Sequence, residues 1–176
     1  MSLADRPWPE IVPGGTVLVP LGSTEQHGPH LPLDVDTMIA TAVANELAPL
    51  TGASVAPAMS VGASGEHQSF PGTISIGTDA LTVLVVELGR SLTTWASRVV
   101  FVNGHGGNVE VVENAVRLLR TEGRDIAWVP CQVPDADPHA GLTETSLMLH
   151  LAPERVRLRN AAAGEASSAP SPWACR

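Results

Sequence analysis

Three short apolar runs, Thr16–Leu21 (TVLVPL), Arg98–Val102 (RVVFV) and Ile126–Pro130 (IAWVP), are too short for helices and read as buried strands. Stretches of helical period alternate with them. Asp36–Leu50 carries Ile39, Val43, Leu47 and Leu50 on one stripe, with Asp36 placed as an N-cap. Asp79–Ser97 and Asn108–Glu122 follow, and a shorter Thr143–Leu151 is opened by Thr143 and stopped by Pro153. Ser54–Met59 reads as a second, weaker strand. Strands alternating with helices predict βαβ units and hence an α/β fold with a mainly parallel central sheet. No internal repeat is present.

A chain of 176 residues fits one domain with a sizeable core. We expect that domain over residues 1–159 and a mobile tail over 160–176, where the sequence becomes small, Pro/Ser-rich and aperiodic. A formal charge of −8, from 10 Lys+Arg against 18 Asp+Glu without a basic cluster, argues against a nucleic-acid partner. The N-terminus MSLADRPWPEIVPGG lacks a signal-peptide pattern, and no apolar run approaches the roughly 20 residues that span a bilayer. The expectation is a soluble, cytoplasmic protein without a membrane partner. Cys131 and Cys175 lack zinc-finger spacing, so any metal must be held by His, Asp and Glu.

The polar motifs fall just after strands, where successive loops of a parallel sheet open onto one rim. Glu25 and His27 lie two apart in PLGSTEQHGPHLPLDVDT, so an extended loop points both to one face. Asp36 starts the following helix, and its two oxygens could bridge two ions. Without a metal, Glu25 would be solvated, His27 would pack, and Asp36 would only cap; Asp34 reads as a surface turn residue. His105 sits in NGHGGN, whose glycines let the backbone approach a ligand; a phosphate nest is the other reading of that loop. His139 and Glu144 share DPHAGLTETS, where Glu144 is either a ligand facing the rim or a capping carboxylate beside Thr143. His67, with Ser64 and Glu66 in GASGEHQSFPGTIS, could line a substrate pocket, and His30 is ambiguous. Glu25, His27, Asp36, His105 and Glu144 form a mixed set suited to two divalent ions of zinc, iron or manganese. Two-metal sites activate water and polarise a carbonyl, which is what amide hydrolysis requires.

Taken in order, LGSTEQHGPHLPLDVDT, GASGEHQSFPGTIS, VVFVNGHGGN and DPHAGLTETS resemble the creatininase family of metal-dependent amidohydrolases. Their wording is most similar to the family's mycofactocin-system members. The resemblance implies a three-layer α/β/α sandwich, a two-metal centre and a homo-oligomer, often a hexamer. It places metal ligands on Glu25, His27, Asp36 and His105, puts His139 near the reacting amide, and makes Glu144 a possible further ligand. It further implies a peptidase that releases a C-terminal dipeptide from a modified precursor peptide. The alternatives are a cyclic-amide or formamide hydrolase, or a truncated non-catalytic member. Family members that hydrolyse creatinine carry a ligand glutamate where this chain has Gly107, which Glu144 would replace. Family chains also continue past Pro153 with a Gly-rich loop and a helix, where this sequence reads AAAGEASSAPSPWACR.

Overall fold

The structure, a computed structural model, describes residues 2–134, 136–137 and 139–162; most of the expected tail, 163–176, lies outside them. Four strands, β1 (Thr16–Leu21), β2 (Ser54–Val55), β3 (Arg98–Asn103) and β4 (Ile126–Pro130), form one sheet in the order β2-β1-β3-β4. Every pairing is parallel, and β1 matches β3 from Thr16 opposite Arg98 to Leu21 opposite Asn103. The helices are α1 (Val35–Thr51), α2 (Gly77–Leu92), α3 (Val109–Thr121) and α4 (Leu142–Leu151). Among the described residues no helix is long and apolar enough to cross a membrane.

Alternation along the strands separates the two faces. Val17, Val19 and Leu21 of β1, with Val99, Phe101 and Ile126, bury against Leu81, Val85 and Val86 of α2 and Val112, Val116 and Leu119 of α3. Leu18, Val55 and Val102 point the other way, onto Ala44 and Ala48 of α1. Met148 of α4 joins Val35 and Ile39 of α1 on that side. This is the expected α/β/α sandwich.

From β1 the chain passes through α1 to β2 at one side of the sheet, and from β3 through α3 to β4 at the other. Because α1 and α3 cover opposite faces, the loops leaving β1 and β3 diverge and leave a crevice between neighbouring strand ends. The motif loops after β1 and β3 both emerge at this switch point.

Several boundaries differ from expectation. The Ser54–Met59 strand is broken after Val55 because Pro57 has no N–H to donate; pairing resumes where Met59 donates to Pro20 and Gly22 donates to Met59. α2 starts at Gly77 and ends at Leu92 instead of running to Ser97, since the Thr93 and Thr94 hydroxyls bond back to carbonyls of the last turn. The N-cap position of α1 is Asp34, and Asp36 lies inside the first turn with no capping bond. Asp34 is no free turn residue either: its carboxylate accepts two bonds from the Arg155 guanidinium, at 2.7 and 3.1 Å. Thr143 does not cap α4; the Asp137 carboxylate accepts from the N–H groups of Leu142 and Thr143. On α1 the sheet-facing stripe is Ala40, Ala44 and Ala48, flanked by the larger residues, while Leu50 stands exposed.

Small side chains bring α1 close to the strand ends. A Cβ on Gly22 would meet Thr37 at 2.3 Å, and one on Gly104 would meet the Asp36 carbonyl oxygen at 2.4 Å. Gly104→Ala is therefore expected to cost about 1–3 kcal/mol in denaturant unfolding. Gly65→Ala, with nothing within 4 Å of the added carbon, should stay within about 0.5 kcal/mol. Equal effects at the two positions would show that the close approach of α1 is not needed.

Candidate metal centre

Glu25, His27, Asp36 and His105 are each at least 95% buried, and they converge at the switch point. The Asp36 carboxylate divides between two neighbours. Its Oδ1 lies 3.1 Å from His27 Nε2, and its Oδ2 lies 2.9 Å from His105 Nδ1 and accepts from the Ser23 hydroxyl at 2.7 Å. Glu25 Oε1 lies 3.3 Å from His105 Nδ1, and its Oε2 lies 3.1 Å from His67 Nδ1. Glu144, projecting from the first turn of α4, brings Oε2 within 3.9 Å of His27 Nε2. Two donor groups result, Glu25–Asp36–His105 and His27–Asp36–Glu144, each with its ligating atoms within 4.8 Å of one another.

Three histidines at the centre, His27, His105 and His139, anchor one ring nitrogen on a backbone carbonyl. His27 Nδ1 donates to Glu25 O at 3.1 Å, His105 Nε2 to Ala63 O at 3.1 Å, and His139 Nε2 to Gln26 O at 2.9 Å. That hydrogen bond fixes the tautomer and turns the basic nitrogen inward, as metal-ligating histidines require. The donor set therefore fits one cation on each side of Asp36.

Two buried asparagines hold the loops in place. Asn108 donates to Gly22 O and Asn103 Oδ1 and accepts from the Ala63 N–H, so it ties the loops after β1, β2 and β3 together. Asn103 closes the His105 loop by donating to the His105 carbonyl and accepting from its N–H. Sequence reasoning passed over both asparagines, Ser23 and Gln26; the signal was two asparagines bracketing His105 in NGHGGN.

The expected pocket residues divide. Ser64 is fully buried with its hydroxyl 3.2 Å from His105 Nε2, so it supports His105 and does not face open space. Glu66 is exposed, and with Glu25 and His67 it forms a further donor group at the mouth. The His67 ring stacks on His139 with centroids 4.7 Å apart, and His139 leans on His27 at 4.5 Å. His139 thus stands over the centre, its Nδ1 3.9 Å from Glu25 Oε1. The solvated Glu25 of the metal-free reading and the phosphate nest at NGHGGN both fail, because the carboxylate is buried and His105 points at Asp36 and Glu25. A glutamate at 107 has no room: a Cβ there would lie 2.3 Å from Ala63 O and 2.6 Å from His105 Nε2.

Electrostatics follow from this packing. Burial would depress His27 and His105, but the hydrogen bond and charge of Asp36, aided by Glu144 and Glu25 respectively, hold each imidazole at about 9. Burial opposes ionisation of Asp36, yet the same two imidazoles keep it well below the usual carboxylate range. Burial, with Asp36 adding, raises Glu144 to about 7. Burial and the neighbouring His27 and His67 push His139 down to about 4.

The chain matches the Creatininase (creatinine amidohydrolase) family model over residues 4–175. It is 64% identical over 146 residues to a mycofactocin precursor peptide peptidase of Mycolicibacterium smegmatis, covering 80% of this chain and 59% of that protein. It is 58% identical over 165 residues to a mycofactocin precursor peptide peptidase of Mycobacterium tuberculosis H37Rv, covering 88% of this chain and 66% of that one. The chain thus spans about three fifths to two thirds of the length of these relatives. A solved structure titled "Creatininase Mn" superposes with a TM-score of 0.81 at 29% identity, over 96% of this chain and 79% of that one.

Without metal, His27 and His105 hold protons above their unfolded pKa of 6.5, so the stability they contribute is complete below pH 6.5 and lost as pH rises toward 9. In chelator, the unfolding midpoint should fall between about pH 8 and 9, a range above the Glu144 transition at about 7 and the His139 transition at about 4. Asp36→Asn should flatten that fall, and a wild-type midpoint constant across this range would contradict the pairing.

Proposed function

The chain belongs to the creatininase family, and from that premise we propose that it is a metal-dependent amide hydrolase, a peptidase releasing a C-terminal dipeptide from a modified precursor peptide. The observation that carries the metal reading is the Asp36 carboxylate, one oxygen on His27 and the other on His105. The likeness to the two mycobacterial peptidases supports the substrate class.

Glu25, Asp36 and His105 would hold one divalent ion and His27, Asp36 and Glu144 a second, of zinc, iron or manganese type. Bound there, the ions would supply positive charge that polarises an amide carbonyl and acidifies a water. The remaining work falls to the chain. His139 is neutral at pH 7, fixed on Gln26 O through Nε2, and presents Nδ1 to the centre; it takes the proton released by the attacking water and passes it to the leaving amine as the C–N bond breaks. His67 and Glu66 line the mouth through which the peptide reaches the ions. Residues 1–159 act as one domain, working in a cytoplasmic homo-oligomer.

Metal-loaded protein is expected to carry about two ions per chain. Asp36→Ala should lose at least one of them, and unchanged content in that variant would refute the bridge. By mass spectrometry, the modified precursor should lose a C-terminal dipeptide. An intact precursor beside hydrolysis of a small cyclic amide or formamide would overturn the peptidase reading. His139→Gln should slow release by about 10²–10⁴-fold with metal content unchanged; loss of an ion would make His139 a ligand of the Glu25–His27 side instead.

A further inference from the structure

A cavity of about 300 Å³ is lined by Pro29, His30, Leu31, Pro32, Arg155 and Arg157. One wall begins two residues after His27. The other side is tied to α4, where His30 Nε2 lies 2.8 Å from the Thr145 hydroxyl, one residue after Glu144. The Arg157 N–H donates to His30 O at 2.7 Å, which pins the arginine segment against the loop.

The lining is basic in a chain of formal charge −8. The two arginines differ in what they have to spend. Arg155 is engaged with Asp34, whereas Arg157 bonds only the Glu154 carbonyl through Nη1 and has no acidic partner among the described residues. His30 is 95% buried with its Nδ1 enclosed against Gly28, so its ring serves the cavity as a wall and the charge is left to the arginines. One uncompensated guanidinium at the edge of a basic cavity is a recognition element for a carboxylate.

We infer that this cavity receives the C-terminal carboxylate of the substrate peptide, with Arg157 as its counter-ion and His30 as a wall of the pocket, so that the cavity sets the cleavage position. The inference rests on the reading of the chain as a C-terminal peptidase. An extended dipeptide spans at most about 7 Å, so a carboxylate held here places the amide two residues upstream toward the neighbouring ligands His27 and Glu144. Recognition of a free terminus explains how the centre would cut one amide among many: the anchoring charge exists only at the chain end.

The test compares a precursor peptide ending in a free carboxylate with the same peptide ending in a carboxamide, on the metal-loaded protein. With wild type, the amide should raise KM about tenfold or more while kcat changes little, the signature of lost uniform binding. Arg157 is exposed, so Arg157→Gln should fold, raise KM for the acid and abolish its advantage over the amide, and Arg157→Lys should restore part of it. Equal KM for acid and amide in wild type, or discrimination that survives in Arg157→Gln, overturns the inference and leaves the peptidase reading standing. If wild type releases no dipeptide at all, the peptidase reading fails. Calorimetric titration with a free dipeptide and its amide then still reads the cavity: preference for the acid, lost in Arg157→Gln, supports the carboxylate site, and equal affinity rejects it.

Discussion

Asp36 is a buried carboxylate in the first turn of α1, and its ionised form has to be neutralised on both sides at once. Leaving such a charge unpaired in the interior would cost several kcal/mol. His27 and His105 share it from opposite sides, and the Ser23 hydroxyl takes up further acceptor capacity. The rest of the centre is arranged around that need. His27 comes from the loop after β1 and His105 from the loop after β3, so only a sheet with β1 and β3 side by side can bring both to one carboxylate. Protons on the two imidazoles, held by Asp36 against burial, balance its charge.

The supports of this arrangement are polar and buried, and each satisfies the others. Asn108 reaches three loops, Asn103 closes the His105 turn, and Ser64 with the Ala63 carbonyl holds the back of the His105 ring. A network of this kind is rigid when complete and costly when one member is missing. Gly22 and Gly104 serve it by absence, since any side chain there would push the first turn of α1, and Asp36 with it, away from the strand ends.

A side chain at 107 would strike the Ala63 carbonyl and the His105 ring, so that position supplies no ligand. On the His27 side a second carboxylate beside Asp36, that of Glu144, comes from α4. Asp137 caps that helix, and Ala140 holds a left-handed φ of 52° while donating its N–H to Glu144. A non-glycine residue in that region is strained. The strain sits between His139 and Glu144, where the chain must turn sharply enough for both to face the centre.

Much of this was legible in the residues. The two strands Thr16–Leu21 and Ile126–Pro130, the α/β class, and the rim position of Glu25, His27, Asp36, His105, His139 and Glu144 follow from short branched runs, helical period and motifs placed just after strands. Such signals are local, and local chemistry writes them directly into sequence. What sequence could not show was set by contacts between distant segments. The break at Pro57, the exposure of Leu50, the engagement of Asp34 by Arg155, and Asp137 in place of Thr143 at the α4 terminus depend on what each segment meets. The same holds for Ser64, which turned inward, and for His30 and Arg157, joined across the fold by one backbone hydrogen bond. Residue type and spacing determined which side chains could take part; only the folded chain decided which oxygen of Asp36 faces which histidine, because that choice is made by packing between elements far apart in sequence.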